Sequence, residues 1–375
     1  MMDMDFGEQI LNEVQKQVRN LKQLNLLVMG KTGVGKSTLI NSVFRENLAA
    51  TGVGHPITSS IEEIAKKDFP LHIFDTRGFE IGKGNFQEIQ QEIQKKIKEM
   101  NRSSNVSEKM HCIWYCISTP SHRVEDAEIE YIKQLADENR IENVPVIVVL
   151  TQSYSKNEAK AMKDYLQLQG ISVAKIVPVL AQDYEIDDEY VVKATGLDTL
   201  VEVMGQVLPD DLRKTLQNVQ KTSLNEKRKA AFASVAAAAT AAAAEAAIPV
   251  PLADSAMLVP TQVSMLAGIS VIFGFDINRT IINSLLSSTL GATGATYVGK
   301  TIFANLMKMI PGVGSVTGGV VSAATASAIT TALGTAYTEL MTAVYKNEIT
   351  REELGSDMGA KKFKEYFKEY QKKKA

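Results

Sequence analysis

The sequence predicts a doubly wound α/β domain with a mostly parallel sheet, followed by an all-α domain. Three observations lead to this prediction. Short apolar runs alternate with amphipathic helical segments over the first half of the chain, as in β-α-β folds. Some runs, such as Val144–Leu150 and, apart from Asn25, Leu24–Met29, are continuously apolar, which is typical of parallel strands buried on both faces. From Ala230 to Thr338 the chain becomes rich in Ala, Gly, Ser and Thr, without strand-like alternation.

The predicted elements follow one another in a regular order. An amphipathic helix is expected from Phe6 to Leu24, where apolar residues recur at helical spacing. The predicted strands are Leu24–Met29, Leu71–Phe74, Met110–Ser118, Val144–Leu150 and Ile176–Leu180. The predicted helices of this half are Lys36–Phe44, Phe86–Met100, Glu125–Asn139, Asn157–Gln169 and Leu197–Val207. Apolar helical segments follow at Ser255–Phe275, Ile281–Phe303 and Ile310–Tyr345.

The expected domain boundaries come from these elements and from the shift in composition. They are an N-terminal amphipathic helix at 1–23, an α/β domain at 24–208, a helical connector at 209–229, an Ala- and Gly-rich helical domain at 230–346, and a basic amphipathic tail helix at 347–375.

The overall composition narrows the function classes. With 41 basic and 43 acidic residues the formal net charge is −2, so no nucleic-acid partner is expected. The two cysteines, Cys112 and Cys116, lie in one apolar run, which favours buried thiols over a disulfide or a metal pair. The acidic N-terminus does not resemble a signal peptide, and we expect a cytoplasmic protein.

Residues Gly30–Thr38 read GKTGVGKST and match the pattern G-x-x-x-x-G-K-[ST] between a predicted strand and a predicted helix. Glycines let backbone N–H groups close around phosphates, and the helix N-terminus adds its dipole. We expect Lys36 to neutralise the β- and γ-phosphates and the Ser37 hydroxyl to bind Mg²⁺. The predicted nucleotide contacts in this loop are Gly30, Thr32, Gly33, Val34, Gly35, Lys36, Ser37 and Thr38. The α/β half is therefore expected to be a P-loop NTPase domain.

Two further segments fit the same chemistry. Asp75 opens the segment DTRG after a predicted strand and is expected to hold Mg²⁺ through water, while the N–H of Gly78 reaches the γ-phosphate. Thr58 precedes that strand and is expected to bring its hydroxyl to Mg²⁺, with Ser59 and Ser60 as alternatives. The candidate catalytic residues are thus Lys36, Thr58 and Gly78, and the candidate metal ligands are Ser37, Thr58 and Asp75.

The order GKTGVGKS, PIT and DTRG resembles the translation-factor class of GTPases, especially the Era-like, septin-like and immunity-related groups. The segment Ile248–Tyr345, with IPVPLAD, Gln262, MIPGVGSVTGG and TALGTAY, resembles the DUF697 helical domain. The first resemblance implies a G domain that binds GTP or GDP with Mg²⁺ and acts as a nucleotide-dependent switch or assembly GTPase. It also implies homodimerisation through the G domain.

In the family that the chain resembles, an N/T-K-x-D motif recognises guanine, and the matching residues here are Thr151, Gln152, Ser153 and Tyr154. The resemblance implies base contacts from Thr151, Gln152 and the backbone N–H of Ala181. Tyr154 replaces the acid and cannot accept two hydrogen bonds from guanine. GTP is the expected nucleotide, and ATP is the alternative.

Two departures from the family bear on hydrolysis. Phe79 stands where the family's water-orienting Gln follows DxxG, and Gly33 stands where potassium-activated relatives carry Asn. Slow intrinsic hydrolysis is therefore implied, with a second molecule completing the site. Arg77 and Arg123 are candidates to act in trans, and a surface ion pair is the alternative for each. A nucleotide-binding scaffold with little hydrolysis is the alternative function.

The helical half raises the question of membrane contact. Ser255–Phe275 lacks ionisable side chains and Gly312–Tyr337 is weakly apolar, so both are long enough to span or dock on a bilayer. Pro260 and Pro311 are expected to interrupt them, and a tightly packed soluble bundle explains the same small residues. Four aromatic residues of the tail share one face among lysines: Phe363, Tyr366, Phe367 and Tyr370. That pattern suits an anionic membrane surface or a helix packed on the body of the protein.

Overall fold

The structure is a computed structural model that describes residues 6–48, 53–56, 61–76, 86–247, 258–275, 281 and 322–374. The chain forms two compact units. One unit comprises residues 21–223, and the other comprises residues 1–20 together with 224–375. The first is an α/β unit and the second is helical throughout its described residues, which confirms the predicted fold class.

Seven strands of the described α/β unit form one sheet, in the order β2-β3-β4-β1-β5-β6-β7. Their bounds are β1 Leu24–Gly30, β2 Val53–Pro56, β3 Ile61–Ala65, β4 Leu71–Thr76, β5 Cys112–Ser118, β6 Val146–Thr151 and β7 Lys175–Pro178. The strands from β4 to β7 in this order are parallel, and β2 and β3 add an antiparallel edge. Because β1 lies between β4 and β5, the direction of winding reverses there, and ligands bind beyond the carboxyl ends of such strands.

Alternation along the strands sends side chains to two separate cores. Leu26 and Val28 of β1 pack into one core, and Leu27 and Met29 pack into the other. The helices that cover the two faces are α2 Lys36–Val43, α3 Phe86–Asn101, α4 Asp126–Ile141, α5 Lys156–Leu168, α6 Leu197–Val207 and α7 Asp210–Val219. Helices α2, α6 and α7 cover the first core, while α3, α4 and α5 cover the second.

The boundary between the units lies inside the segment that the sequence predicted as a connector, 209–229. Helix α7 buries Leu212, Leu216 and Val219 in the α/β core, so this charged segment is part of that unit. The side chain of Gln220 accepts hydrogen bonds from the N–H groups of Thr222 and Ser223, both at 2.8 Å, and closes the turn that follows. The composition shift near Ala230 falls within the next helix.

Strand β5 and the residue before it hold the buried thiols and a neutral histidine. Cys112 and Cys116 are free and fully buried, as predicted, and burial raises the pKa of each thiol to about 12. His111 precedes β5, and its Nδ1 accepts a hydrogen bond from the N–H of Asn25 at 2.9 Å. Its Nε2 lies 2.7 Å from the carbonyl of Val106 and donates to it. Burial lowers the pKa of His111 to about 4, so the ring pins two backbone segments as a neutral group.

The helical unit is built from α1 Phe6–Arg19, α8 Leu224–Ala246, α9 Leu258–Phe273, α10 Ala323–Tyr345, α11 Arg351–Leu354 and α12 Asp357–Lys374. Helices α8, α9 and α10 pack on one another, α1 packs on α9, and α12 packs on α10. Pro260 was expected to interrupt this segment, and that expectation is wrong. It lies in the first turn of α9, where a proline does not disrupt a helix. Most of Ile281–Phe303 and the residues from Ile310 to Val321, Pro311 among them, lie outside the described residues.

Small residues bring these helices close together. A Cβ atom at Gly334 of α10 would lie 2.6 Å from Val235 Cγ2 of α8 and 2.7 Å from Met265 Sδ of α9. The hydroxyls of Ser270 and Tyr337 lie 2.8 Å apart in the same core. In the described part of the chain, Gly334 therefore serves close packing between helices.

The aromatic face of the tail is buried in the helical unit. Phe363 and Phe367 of α12 lie in the core, and Tyr366 and Tyr370 pack against it. The tail is thus a helix packed on its own unit, the second of the two alternatives. Among the described residues, no helix combines the length and apolarity that crossing a bilayer requires.

Candidate nucleotide-binding site

The predicted loop lies at the carboxyl end of the central strand. Strand β1 ends at Gly30, and α2 begins at Lys36 after Gly35, which has a left-handed backbone with φ of 88°. Gly30 pairs with Cys116 of β5, and a Cβ atom at Gly30 would overlap the carbonyl oxygen of Cys116. Glycine is therefore required where the loop leaves the sheet.

The loop presents positive charge and backbone donors in one place. Lys36 is only 9% exposed, and its Nζ donates to the carbonyl of Gly30 at 3.3 Å, so the side chain runs back along the loop. The N-terminus of α2 has no side-chain cap, which leaves its first N–H groups available to an anion. Ser37 and Thr38 are exposed at the same helix end. Lys36, Ser37 and Thr38 are all among the nucleotide contacts predicted from the sequence.

Asp75 lies near the end of β4 and pairs with Val28 of the neighbouring strand β1. Its Oδ1 is buried and has no hydrogen-bond partner among the described residues. Burial raises the pKa of Asp75 to about 6, Lys36 partly offsets that effect, and Glu62 of the neighbouring strand adds to it. A buried carboxylate oxygen without a donor fits a hydrated divalent cation, because oxygen is the ligand that Mg²⁺ prefers. Asp75 and the exposed Ser37 hydroxyl are the described residues that would hold it.

Thr151 and Gln152 follow β6 and contact the loop itself. The Thr151 hydroxyl is buried, 2.6 Å from the carbonyl of Val34 and 3.1 Å from that of Ile117, so it fastens the loop to the sheet. Gln152 adopts a left-handed backbone with φ of 53°, and its Oε1 accepts from the Ser118 hydroxyl at 2.6 Å. These contacts place Gln152 beside the loop and leave the Thr151 hydroxyl engaged with backbone carbonyls.

Next to the loop is a cavity of about 220 Å³. Its lining comprises Gly35, Thr38, Thr151, Gln152, Tyr154, Val179, Leu180, Ala181, Gln182, Asp183 and Tyr184. Ala181, predicted as a base contact, is among them. Asp183 and Tyr184 were not predicted, because they belong to a short hairpin, β8 Tyr184–Glu185 with β9 Val191–Val192, in an exposed acidic segment without an apolar pattern.

Sequence reasoning also missed the ion pair between Lys31 and Glu128, an anchor that holds the loop in place. Lys31 Nζ lies 2.7 Å from Oε2 of Glu128, a buried carboxylate in the first turn of α4. The Tyr115 hydroxyl donates to Oε1 of Glu128 at 3.2 Å, and burial, with Glu128, raises the pKa of Tyr115. The anchor joins residues far apart in sequence, and one acid among several in the helix gave no signal for it.

Several predicted residues lie outside the described part of the chain: Thr58, Ser59, Ser60, Arg77, Gly78 and Phe79. Their roles stay predictions. Arg123 is described, and it is exposed in the segment between β5 and α4.

The strand order, the loop at the central strand and the acid on the adjacent strand together define the P-loop class of nucleotide-binding folds. Family models identify the chain further: residues 20–201 match the septin model, and residues 211–368 match "Domain of unknown function (DUF697)". The chain therefore combines a septin-type G domain, of the P-loop GTPase class, with a DUF697 domain. Both predicted resemblances are confirmed.

Individual septins show the extent of the similarity. Septin-2B from Xenopus laevis is 27% identical over 184 residues, which are 42% of this chain and 52% of that protein. Septin-9 from Homo sapiens is 30% identical over 172 residues, covering 38% of this chain and 29% of that protein. The match to Septin-2B thus spans about half of its length. Among solved structures, Cdc11 from Saccharomyces cerevisiae is 17% identical with a TM-score of 0.31, covering 52% of this chain and 95% of that one.

The raised pKa of Asp75 predicts a pH-dependent magnesium requirement. Mg²⁺ needs the ionised carboxylate, so protons compete with it once the pH falls below about 6. We expect the apparent Mg²⁺ affinity of the nucleotide-bound protein to fall about tenfold per pH unit below that value and to be nearly constant above it. Mg²⁺ titrations with a fluorescent nucleotide analogue between pH 5 and 8 measure this.

Asp75→Asn provides the control, because its side chain does not titrate. The variant should bind Mg²⁺ weakly at every pH, with only the pH dependence that the nucleotide phosphates contribute. Identical pH profiles for the parent and Asp75→Asn would remove Asp75 from the metal site.

Proposed function

We propose that this protein binds GTP and GDP with Mg²⁺ and hydrolyses GTP slowly, as a nucleotide-dependent switch or assembly GTPase. The observation that carries the proposal is that three features meet at one edge of a septin-type G domain. They are the buried Lys36, the uncapped N-terminus of α2, and a buried Asp75 oxygen that has no hydrogen-bond partner among the described residues.

Each group has a distinct role in this proposal. Lys36 and the N–H groups of the loop and of α2 bind and orient the phosphates. The Ser37 hydroxyl and Asp75 hold Mg²⁺, which offsets negative charge on the phosphate oxygens when bound. Thr58 and Gly78 would complete the contacts to Mg²⁺ and to the γ-phosphate. Thr151 and the Lys31–Glu128 ion pair keep the loop fixed while these contacts form.

Removing the charge of Lys36 tests nucleotide binding. We expect Lys36→Ala to weaken GTP binding by roughly 1.5–3 kcal/mol, or about 10- to 150-fold, because a bond to a charged phosphate is lost. Equilibrium binding of a fluorescent GTP analogue to the full chain measures it. Lys160→Ala is the matched control, since Lys160 is an exposed lysine of α5 and the charge change is the same. Equal affinities for Lys36→Ala and the parent would show that the loop does not bind nucleotide.

Hydrolysis is proposed to be slow because Phe79 stands where a water-orienting Gln would be. A second copy of the chain, meeting the first through its G domain, would supply a positive charge that stabilises the transition state. Arg123 is exposed and is a candidate to do so. If Phe79 prevents hydrolysis altogether, the protein is a nucleotide-binding scaffold, which is the alternative function.

Completion of the site in trans predicts that the GTPase rate per molecule rises with protein concentration. Arg123→Ala should remove that rise while leaving the rate at high dilution unchanged. Arg102→Ala, another exposed arginine of the same unit, should behave as the parent does. Phosphate release under single-turnover conditions, at several protein concentrations, gives the answer. A rate that is fast and independent of dilution would contradict completion in trans.

We place the protein in the cytoplasm, since its two buried thiols are free and suit a reducing compartment. We propose that the protein contacts anionic membrane surfaces electrostatically, through lysines of α12. The aromatic face of α12 is occupied by the helical core, whereas Lys361, Lys364 and Lys368 are exposed or half-buried. Each lysine near an anionic surface contributes about 1 kcal/mol. Deleting residues 361–375 would remove core residues, so charge neutralisation is the better test.

Changing the three tail lysines to glutamine should release the protein from anionic vesicles at low salt. High salt should release the parent in the same way, because the attraction is screened. Co-sedimentation with vesicles of phosphatidylserine and phosphatidylcholine measures both effects.

The matched control changes three lysines of α5 with similar exposure, Lys156, Lys160 and Lys163. The membrane proposal fails if the parent stays in the supernatant with and without GTP, or if both triple variants bind alike.

A further inference from the structure

The cavity beside the loop contains a carboxylate that the family motif does not place there. The motif's acid is replaced by Tyr154, but Asp183, from the segment after β7, lines the same cavity. We propose that Asp183 is the residue that recognises guanine, accepting hydrogen bonds from its N1–H and its 2-amino group. This inference rests on the proposed binding of GTP and specifies how the base is selected.

The position of the cavity supports a base site. Gly35 and Thr38 at the start of α2 form one side, and the residues after β6 and β7 form the others. A nucleotide with its phosphates in the loop at Gly30–Thr38 would therefore extend its base toward this cavity. Its volume, about 220 Å³, accommodates one planar ring system with its polar edge.

The carboxylate of Asp183 is held in a fixed orientation. Its Oδ2 accepts from Lys193 Nζ at 2.8 Å, and its Oδ1 accepts from the backbone N–H of Ala194 at 2.8 Å. The hydrogen bond from Lys193 and that from Ala194 lower the pKa of Asp183, so the group is ionised. Each carboxylate oxygen has two acceptor positions, and each retains one. Its side chain is 48% exposed and can reach a ligand.

Tyr154 has a role in this arrangement. Its ring lies against the ring of Tyr184, with centroids 4.2 Å apart and planes inclined by 43°. Tyr184 follows Asp183 directly, so the aromatic contact fastens the segment that carries the carboxylate to the loop after β6. The family motif has an acid at position 154. Here Tyr154 instead helps to position the carboxylate of Asp183, which comes from another loop.

An ionised acceptor at this point distinguishes the purines. Guanine offers two donors on that edge, whereas adenine offers an acceptor at N1, which a carboxylate repels. Xanthine has a carbonyl in place of the 2-amino group, so an amide that accepts from N1–H and donates to that carbonyl would suit it. Asp183→Asn should therefore move the preference from GTP to XTP.

The experiment measures the affinities of the full chain for GTP, XTP and ATP by competition against a fluorescent GTP analogue. For Asp183→Asn we expect GTP to weaken by roughly ten- to a hundredfold and XTP to strengthen, because a polar group matched to the base is exchanged for another. Asp188→Asn is the control: it removes the same charge from the exposed hairpin and should leave all three affinities within about twofold of the parent.

The outcomes separate the two proposals. A parent that binds none of the nucleotides overturns the proposed function. A parent that binds ATP as well as GTP, or Asp183→Asn that keeps the preference for GTP, overturns only the role of Asp183. Equal weakening of all three nucleotides in Asp183→Asn also overturns it, because that result would mark a structural role for the Lys193 contact.

Discussion

The structure of the α/β unit depends on the close approach of Gly30 to the carbonyl of Cys116. Strands β1 and β5 stay paired up to this point, and any Cβ atom at Gly30 would overlap the carbonyl oxygen. The same Gly30 carbonyl then accepts the hydrogen bond from Lys36. One residue thus ends the strand, starts the loop and holds the lysine, so a single steric constraint sets the end of the strand and the position of Lys36.

Two lysines at this edge of the sheet have different electrostatic surroundings. Lys31 is neutralised by the buried Glu128 and serves to fix the loop. Lys36 forms no ion pair with the described residues, and it lies near Asp75, whose pKa is raised to about 6 by burial. Ligand phosphate and a cation would satisfy both unpaired groups at once. This arrangement supports the proposal that a nucleotide and Mg²⁺ bind here.

Sequence reasoning predicted those parts whose signal is local. Strands β1, β5 and β6 are almost continuously apolar, apart from Asn25 and the terminal Ser118 and Thr151, and the residues of the loop have a fixed spacing. Sequence reasoning did not predict β3, because its pattern lacks the alternation of a strand. Ile61 and Ile64 are three residues apart, and Glu62 and Glu63 lie between them. The contact of Lys31 with Glu128 and that of Tyr154 with Tyr184 span distant segments, and no pattern along the chain records such pairs.

The helical unit shows why small residues did not decide between lipid and protein surroundings. Close helix packing requires them in either solvent, since both need backbones to approach. Gly334 faces Val235 and Met265 of two other helices, and the Ser270 and Tyr337 hydroxyls satisfy each other inside the core. Charged residues also close this core, because Lys227 Nζ donates at 2.8 Å to the carbonyl of Ile272, near the end of α9. The buried ammonium offsets the unpaired carbonyls and the negative end of the dipole together, so a charged side chain stabilises the end of this helix.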